Sequence, residues 1–233
     1  MVLPCMSAGP EDTPPTHTGI PLDRAFYECP TLDVARGLIG AVLVHDTEQG
    51  RFSGVIVETE AYIAPEDAAC HAYRGVTPRN QVMFGPAGHA YVYRSYGIHY
   101  MLNVVTEPAG VAAAVLIRAI EPREGLDRML DNRGLSEPRI NNTGVANVAN
   151  GPGRLCQAFD IGPELNGVDL TERPLPLYIT AGVTDIAHDT LSIVQTTRIG
   201  ITRAVDLPWR FYVRGNPHVS VRDRKTESMV DGR

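Results

Sequence analysis

The secondary structure shows most clearly in one segment, Phe52-Ser53-Gly54-Val55-Ile56-Val57-Glu58-Thr59-Glu60-Ala61-Tyr62. Its β-branched and aromatic residues favour a β-strand, in which successive side chains point to opposite faces of the sheet. One predicted face carries Val55, Val57, Thr59 and Ala61. The other carries Ile56, Glu58, Glu60 and Tyr62. A strand with two carboxylates on one face is either a solvated outer strand or one wall of a functional site.

Other elements are predicted on both sides of this segment. Further strands cover residues 41–44, 90–94, 99–105 and 112–120, with shorter ones at 177–180, 193–195, 200–202 and 211–213. Helices are predicted to start at Thr31, to cover 122–130, and to start again near Pro152. The strands at 90–94 and 99–105 form a hairpin with its tip near Tyr96. The predicted fold class is α+β: a single domain with a curved, mostly antiparallel β-sheet, flanking helices and a protruding β-hairpin.

Length and composition indicate how the chain is organised. The 233 residues, of which 43% are hydrophobic, are typical of one globular domain with a sizeable core. Residues 1–22 contain five prolines, so we predict a flexible leader there, the folded domain at 23–225 and a polar tail at 226–233. The four scattered cysteines fit neither a disulfide framework nor a zinc site. Since no run approaches the roughly 18 apolar residues of a membrane span and the start lacks a secretion signal, we expect an intracellular protein.

The charged residues are unevenly distributed. The net charge of −6 is unfavourable for nucleic acid as a partner. However, residues 198–225 carry seven basic residues against two acidic ones, whereas residues 46–67 carry six acids against Arg51 alone. Because charges act within about 8–10 Å at physiological ionic strength, a local basic face on an acidic protein can still bind phosphate.

Arg118 interrupts an apolar run at 112–120 that is expected to be buried. A buried guanidinium needs a partner, and Glu58 or Glu60 is the natural candidate. The arrangement is either a structural ion pair or part of a site in which the arginine keeps a carboxylate ionised.

Four of the nine tyrosines lie between residues 91 and 100. Tyr91 and Tyr93 share a face of their predicted strand, which also suits an ordinary core. Tyr96 is predicted at the hairpin tip, where an exposed aromatic ring is suited to insertion between stacked bases. His71 lies in the long polar loop at 65–86 and is either a surface histidine or a site residue. Together with Cys70 it lacks the second pair of ligands that a metal site needs.

Several segments match a known family in order and spacing, from about Cys29 to Arg224. They are Val57-Glu58-Thr59-Glu60-Ala61-Tyr62, Pro65-Glu66-Asp67, Thr77-Pro78-Arg79-Asn80, Met83-Phe84, Tyr91-Val92-Tyr93 with Tyr96-Gly97, Leu116-Ile117-Arg118-Ala119-Ile120-Glu121-Pro122, Gly151-Pro152-Gly153-Arg154-Leu155 and Arg210-Phe211-Tyr212-Val213-Arg214-Gly215. The chain therefore resembles the alkyladenine (3-methyladenine) DNA glycosylases of the mammalian type, which differ from the helix-hairpin-helix glycosylases. One departure is His99, which stands where that family has an aromatic or apolar residue behind the intercalating side chain.

The resemblance implies a role for each matching side chain. Glu60 corresponds to the general base, and Arg118 to the arginine that helps to place the attacking water. The base pocket would be formed by Tyr62, His71, Tyr93 and Asn103. The first three are the walls around the extruded base, and the asparagine opposes the 2-amino group of normal guanine. Tyr96 corresponds to the residue that enters the minor groove and takes the place of the extruded nucleotide.

Two groups of residues are candidates for binding DNA phosphates. Gly153 and Arg154 lie at a predicted helix start, where backbone amides attract anions. Arg210 and Arg214 lie in the basic C-terminal part of the chain. In each case the alternative is an ordinary helix cap or a solvated surface.

The resemblance implies a monofunctional DNA glycosylase that flips alkylated or deaminated purines out of double-stranded DNA and hydrolyses the N-glycosidic bond, the first step of base excision repair. Because the reaction needs only water and a base, no metal or organic cofactor is expected. The lone lysine, Lys225, lies near the tail, so no lyase step through a Schiff base is expected. We expect a monomer without membrane contact, in the cytoplasm or nucleoid of a bacterium or the nucleus of a eukaryote. The alternatives are a non-catalytic damaged-DNA-binding module and a carbohydrate glycosidase that uses Glu58 and Glu60 together.

Overall fold

The computed structural model describes residues 17–135, 144–172, 176–182 and 192–230. Its strands are β1 (His17–Pro21), β2 (Val42–Thr47), β3 (Gly50–Ile63), β4 (Ala90–Ser95), β5 (His99–Val105), β6 (Ala113–Glu124), β7 (Leu177–Gly182), β8 (Ile193–Thr196) and β9 (Arg210–Val213). Its α-helices are α1 (Arg24–Tyr27), α2 (Thr31–Gly37), α3 (Leu126–Asn132), α4 (Pro152–Ala158) and α5 (Arg224–Val230). No helix among these residues is long and apolar enough to cross a membrane.

The strands form one antiparallel sheet in the order β1-β7-β2-β3-β6-β5-β4, with β9 pairing with both β3 and β8. The long strand β3 is central, because β6 follows one of its edges while β2 and then β9 share the other. Helix α2 packs on β3, and helix α4 packs on β5 and β6. The predicted α+β class, with an antiparallel sheet, flanking helices and a β4–β5 hairpin, is confirmed.

The pairing of β3 with β6 is irregular in the middle of both strands. Ile56 pairs with Ile120 and Thr59 with Ile117, but between these pairs Glu58 lies opposite Ala119, so that each strand contains one extra residue. Such a β-bulge changes the face on which the following side chains lie. The two strands therefore switch faces together at this point.

The bulge contradicts the regular alternation predicted for this strand. Ile56 and Ala61 lie in the same main core cluster, although residues five apart cannot share a face of an unbroken strand. Val55 and Val57 lie in a second cluster beside β9. The hydroxyl of Thr59 faces the main core and donates to the carbonyl of Ala35 in α2 at 2.8 Å. The predicted face of Val55, Val57, Thr59 and Ala61 is therefore wrong, whereas Glu58, Glu60 and Tyr62 do lie together.

Three other predictions differ from the structure. Strand β6 continues through Pro122 to Glu124, and the helix predicted from Pro122 begins only at Leu126. Pro122 fits in the strand because it pairs with Gly54, where an added Cβ would lie 3.2 Å from the proline Cα.

No strand forms at 200–202. Residues 17–21, placed in the leader, form β1 and pair with β7. The rest of the predicted leader, residues 1–16, lies outside the described residues, and residues 226–230 of the predicted tail belong to α5.

Candidate active site

Arg118 links two buried carboxylates. Glu58 and Glu60 have no solvent-exposed surface, and Arg118 is almost as deeply buried. The guanidinium donates from Nε to Glu58 Oε1 at 2.9 Å and from Nη1 to Glu60 Oε2 at 3.0 Å. The arginine thus has both candidate partners at once, and a solvated outer strand is excluded because neither carboxylate contacts solvent.

Glu58 is held by donors on both of its oxygens. In addition to Arg118, Oε1 accepts from Arg210 Nη1 at 3.1 Å and from the Ser220 hydroxyl at 2.9 Å. Oε2 accepts from the Ser220 amide at 2.8 Å. With two arginines and a serine around it, Glu58 has the partners of a carboxylate that stabilises the fold.

Glu60 accepts three hydrogen bonds and has one acceptor position left unoccupied by the protein. Its Oε2 accepts from the Tyr62 hydroxyl at 2.8 Å as well as from Arg118, while its Oε1 accepts from the amide of Ile199 at 2.7 Å. A carboxylate has about four acceptor positions, so Oε1 retains one. Burial raises the pKa of Glu60, and the charge of Arg118 and the two hydrogen bonds oppose that rise.

A cavity of about 790 Å³ opens above this carboxylate. Its aromatic lining consists of Tyr62, His71, Tyr91, Tyr93 and Tyr96, and its polar lining includes Asn103 and Arg118. Glu60 itself lies one layer below the wall, since Tyr62, Arg118 and Ile199, the groups that bond to it, all line the cavity. The volume is sufficient for a purine, and most of the predicted site residues are therefore brought together.

Aromatic contacts fix the rings on one side of the cavity. His71 meets Tyr93 edge to face with ring centroids 4.4 Å apart, and its Nδ1 lies 3.0 Å from the Tyr91 hydroxyl. Partial burial lowers the pKa of His71, and the charge of Arg79 lowers it further. Buried Asn80 fixes the loop below by donating to the carbonyl of His71 at 2.9 Å.

Asn103 is buried in the same wall, where its amide is held by the backbone. Its Nδ2 donates to the carbonyl of Tyr91 at 3.0 Å. Because that contact requires a donor, it sets the orientation of the amide group. The side chain therefore offers a fixed polar group to any ring that enters the cavity.

Tyr96 lies at the tip of the β4–β5 hairpin and is 92% exposed. Its backbone has a φ of 50° and Gly97 has a φ of 69°, and the turn closes with a hydrogen bond from the Ile98 amide to the Ser95 carbonyl at 3.0 Å. A tyrosine in the left-handed region is uncommon and costs free energy relative to glycine. The protein thus holds a large apolar ring out into solvent in a strained turn.

A second buried ion pair lies behind Tyr62. Arg198 donates to both oxygens of Asp67 and to the carbonyl of Ala61, and neither charged side chain is exposed. The guanidinium carbon lies 4.6 Å from the centre of the Tyr62 ring. Sequence reasoning missed this role because Arg198 was counted in a basic surface segment, although Asp67 lies in one of the matching segments.

The predicted phosphate-binding residues have different surroundings. Arg210 is buried and its guanidinium is bound to Glu58 and to two backbone carbonyls, so it is not available to phosphate. Arg214 donates to the carbonyl of Glu227. Arg154 is exposed and contacts Asn150. An added Cβ at Gly153 would lie 2.9 Å from His99, so this glycine permits close packing of α4 against the hairpin strand.

The cavity rim instead carries three arginines, Arg79, Arg94 and Arg203. None of them forms an ion pair with another described residue. They supply a local positive potential around the opening. Arg203 belongs to the basic segment at 198–225, but none of the three was among the predicted phosphate-binding residues. Across the described ranges, no group of three His, Cys, Asp or Glu side chains could hold a metal ion.

Comparisons with known proteins agree with this geometry. The family model described as Methylpurine-DNA glycosylase (MPG) matches residues 25–217. A protein of Methanoculleus marisnigri named "Putative 3-methyladenine DNA glycosylase" is 50% identical over 201 residues, covering 86% of this chain and 99% of its own. Proteins with the same name from Nitrobacter winogradskyi and Chlorobaculum parvum are 47% and 46% identical, over 92% and 85% of this chain and 92% and 90% of their own.

Proposed function

The chain belongs to the methylpurine-DNA glycosylase family, and from this premise we propose how it acts. Its reaction is that of a DNA-3-methyladenine glycosylase, a hydrolase that removes damaged purines from DNA in base excision repair. We propose that alkylated purines, and deaminated ones as a second class, rotate out of the duplex into the aromatic cavity. The observation that carries this proposal is a buried carboxylate, Glu60, directly behind the cavity wall.

Binding of the base is supported by the aromatic lining. Rotation of a nucleotide out of the duplex costs a few kcal/mol, and stacking of a base on an aromatic ring returns about 1–3 kcal/mol. Tyr62 and Tyr93 provide such rings, and the exposed Tyr96 is long enough to fill the gap left in the duplex. Arg94 and Arg203 on the rim would hold the flanking phosphates.

The chemical step needs one carboxylate and one water. Glu60 takes a proton from water as the water oxygen bonds to C1′ of the deoxyribose, and the electrons of the C1′–N bond leave with the purine. The negative charge of Glu60 also stabilises the positive charge that develops on the sugar. Arg118 keeps the carboxylate ionised and oriented. An alkylated, cationic purine departs as a neutral base and needs no further proton.

The product would be an intact abasic strand. A glycosylase that also nicks DNA uses an amine to form a Schiff base, and the only lysine, Lys225, is exposed on α5 and does not line the cavity. We propose that the protein acts as a monomer. Its location would be that of DNA, in the bacterial nucleoid and cytoplasm or in a eukaryotic nucleus.

The experiment that tests this function measures base release from duplexes that contain 3-methyladenine, 7-methylguanine, hypoxanthine or 1,N6-ethenoadenine. We expect free base from at least the alkylated duplexes, with an uncut strand until alkali is added. A strand cut without alkali contradicts the monofunctional mechanism. Binding to damaged duplexes without any release favours a damage-binding module, and sugar release from oligosaccharides favours a carbohydrate glycosidase.

Replacement of the tip residue, Tyr96→Ser, should lower base release from duplex DNA by about 10- to 100-fold, because a stacking ring contributes about 1–3 kcal/mol. Stability should remain within about 0.5 kcal/mol, since the side chain is exposed. Single-turnover rates and thermal unfolding measure the two effects. Ile98→Ser is the matched control, because Ile98 is 68% exposed at the same tip, and we expect a smaller loss from it. Unfolding of Tyr96→Ser would show that the ring is part of the core.

The rate of 7-methylguanine release should depend on the ionisation of Glu60. The ionised form is the base, so activity is present above the pKa of Glu60 and is lost as the pH falls through it. Burial raises that pKa above its ordinary value of 4.5, and the Tyr62 hydroxyl lowers it. Tyr62→Phe keeps the ring and removes the hydroxyl, so the acidic limb of the pH–rate profile should move to higher pH.

The control for that shift is Tyr93→Phe, in which the hydroxyl removed does not bond to Glu60. Its acidic limb should coincide with that of the parent protein. An acidic limb that stays in place in Tyr62→Phe would mean that a group other than Glu60 titrates in the reaction.

A further inference from the structure

Tyr62 and Tyr93 are the tyrosines that offer a stacking face in the cavity, and each has an arginine guanidinium over its ring. The guanidinium carbon of Arg198 lies 4.6 Å from the ring centre of Tyr62, and that of Arg79 lies 5.3 Å from the ring centre of Tyr93. The negative face of an aromatic ring attracts cations. That attraction would favour a cationic alkylated purine over a neutral one, but here each ring is also engaged by a positive charge from the protein.

The two arginines differ in how their charge is balanced. Arg198 is buried and bound to both oxygens of Asp67, so the pair is neutral as a whole. Arg79 has no carboxylate partner among the described residues, and its Nη2 donates to the carbonyl of Arg94 at 3.2 Å. Of these two arginines, Arg79 therefore adds a net positive charge beside the cavity, and Arg198 does not.

The charge of Arg79 acts on the groups that would surround the base. Burial is the largest influence on the pKa of His71, Tyr91 and Tyr93, and the positive charge of Arg79 is the next, lowering the pKa of each. A charge that acts on three wall residues also acts on a purine among them. Its interaction with a cationic purine is repulsive, whereas a neutral purine is little affected.

We propose that Arg79 sets the preference between cationic and neutral damaged purines. Its unbalanced charge at the Tyr93 wall opposes bases with a positive charge, such as 7-methylguanine, and leaves neutral bases such as hypoxanthine unaffected. This inference rests on the proposed function, because it assumes that the damaged base enters the cavity. The residue acts on specificity through the field in the pocket and takes no part in bond breaking.

The test compares single-turnover release of 7-methylguanine and hypoxanthine from otherwise identical duplexes. In Arg79→Gln the ratio of the 7-methylguanine rate to the hypoxanthine rate should rise by about three- to tenfold, as expected for one charge removed at about 6 Å in a partly aqueous site. Arg94→Gln is the matched control. Arg94 is also exposed on the cavity rim, but its guanidinium lies 5.9 Å from the ring centre of Tyr100, which is not a cavity wall.

The control removes the same charge from the rim and should lower both rates by one common factor, which leaves their ratio unchanged. Arg79→Lys keeps the charge and should retain the parent ratio. Equal losses of both rates in Arg79→Gln would overturn the inference, because they would mean that Arg79 only binds phosphate. A parent protein that released neither base would overturn the proposed function and the inference with it. Because Arg79 is exposed, the variants are expected to fold.

Discussion

Glu60→Gln will bind a damaged duplex and release no measurable base. The amide oxygen of glutamine can still accept hydrogen bonds from Tyr62 and Arg118, as Glu60 Oε2 does, while the amide nitrogen takes the place of Oε1 and loses the hydrogen bond from the Ile199 amide. Most of the local geometry should therefore be kept. What is lost is the ionised carboxylate that the proposed mechanism uses to take a proton from water. General base catalysis contributes about 10²–10⁴-fold, and the charge that stabilises the developing sugar cation is lost as well.

Two measurements separate the loss of chemistry from a loss of binding. Single-turnover base release gives the rate, and a gel-shift titration with a hypoxanthine duplex gives the affinity. We expect the rate to fall below detection while the affinity stays within a few-fold of that of the parent protein. Release at the parent rate would remove Glu60 from the mechanism, and loss of binding alone would make it a pocket residue.

The largest effect on stability is expected from the neighbouring carboxylate. Glu58→Gln should lower the free energy of unfolding by about 3–5 kcal/mol, the typical cost of breaking a buried charge pair by removing one partner. Glu58 is bound to two buried arginines, Arg118 and Arg210, whose charges would lose that carboxylate. Denaturant unfolding monitored by circular dichroism measures the change.

A surface carboxylate on β6 provides the control. Glu121 forms an ion pair with Arg123 in which both side chains are partly exposed, and exposed pairs contribute about 0–1 kcal/mol. Glu121→Gln should therefore change the free energy of unfolding by no more than about 1 kcal/mol. If Glu58→Gln is as stable as the parent protein but releases no base, Glu58 takes part in the chemistry together with Glu60 and is not a structural partner of the arginines.

Part of this site follows from the sequence for a simple reason. A charged residue within an apolar run must find an opposite charge, and the two carboxylates of β3 were the evident partners for Arg118. The hairpin and its exposed tip follow equally from local turn and strand preferences. The hairpin depends on neighbours in the chain, and Arg118 is marked by the apolar residues on both sides of it, although its partners are 60 and 58 residues away.

The remaining features depend on residues that are far apart in the chain. Asp67 and Arg198 are 131 residues apart, and Glu58 and Arg210 are 152 residues apart. Nothing local distinguishes these two arginines from the exposed Arg203 of the same basic segment. Which arginines of this segment become buried partners of a carboxylate is therefore decided by the tertiary fold, as when the pairing of β9 with β3 brings Arg210 beside Glu58.

The paired bulges in β3 and β6 decide on which side of the sheet the two carboxylates lie. Ile56 faces the main core, so two more steps of regular alternation would also turn Glu58 and Glu60 towards it. The one extra residue in each strand places both carboxylates on the cavity side. Because both strands contain one, the pairing on either side of the bulges stays in step. A deletion of Val57 would leave Glu58 and Glu60 on the cavity side, but the extra residue of β6 would lose its counterpart, so that beyond this point each residue of β3 would face a different neighbour on β6 and Arg118 would be displaced relative to the two carboxylates.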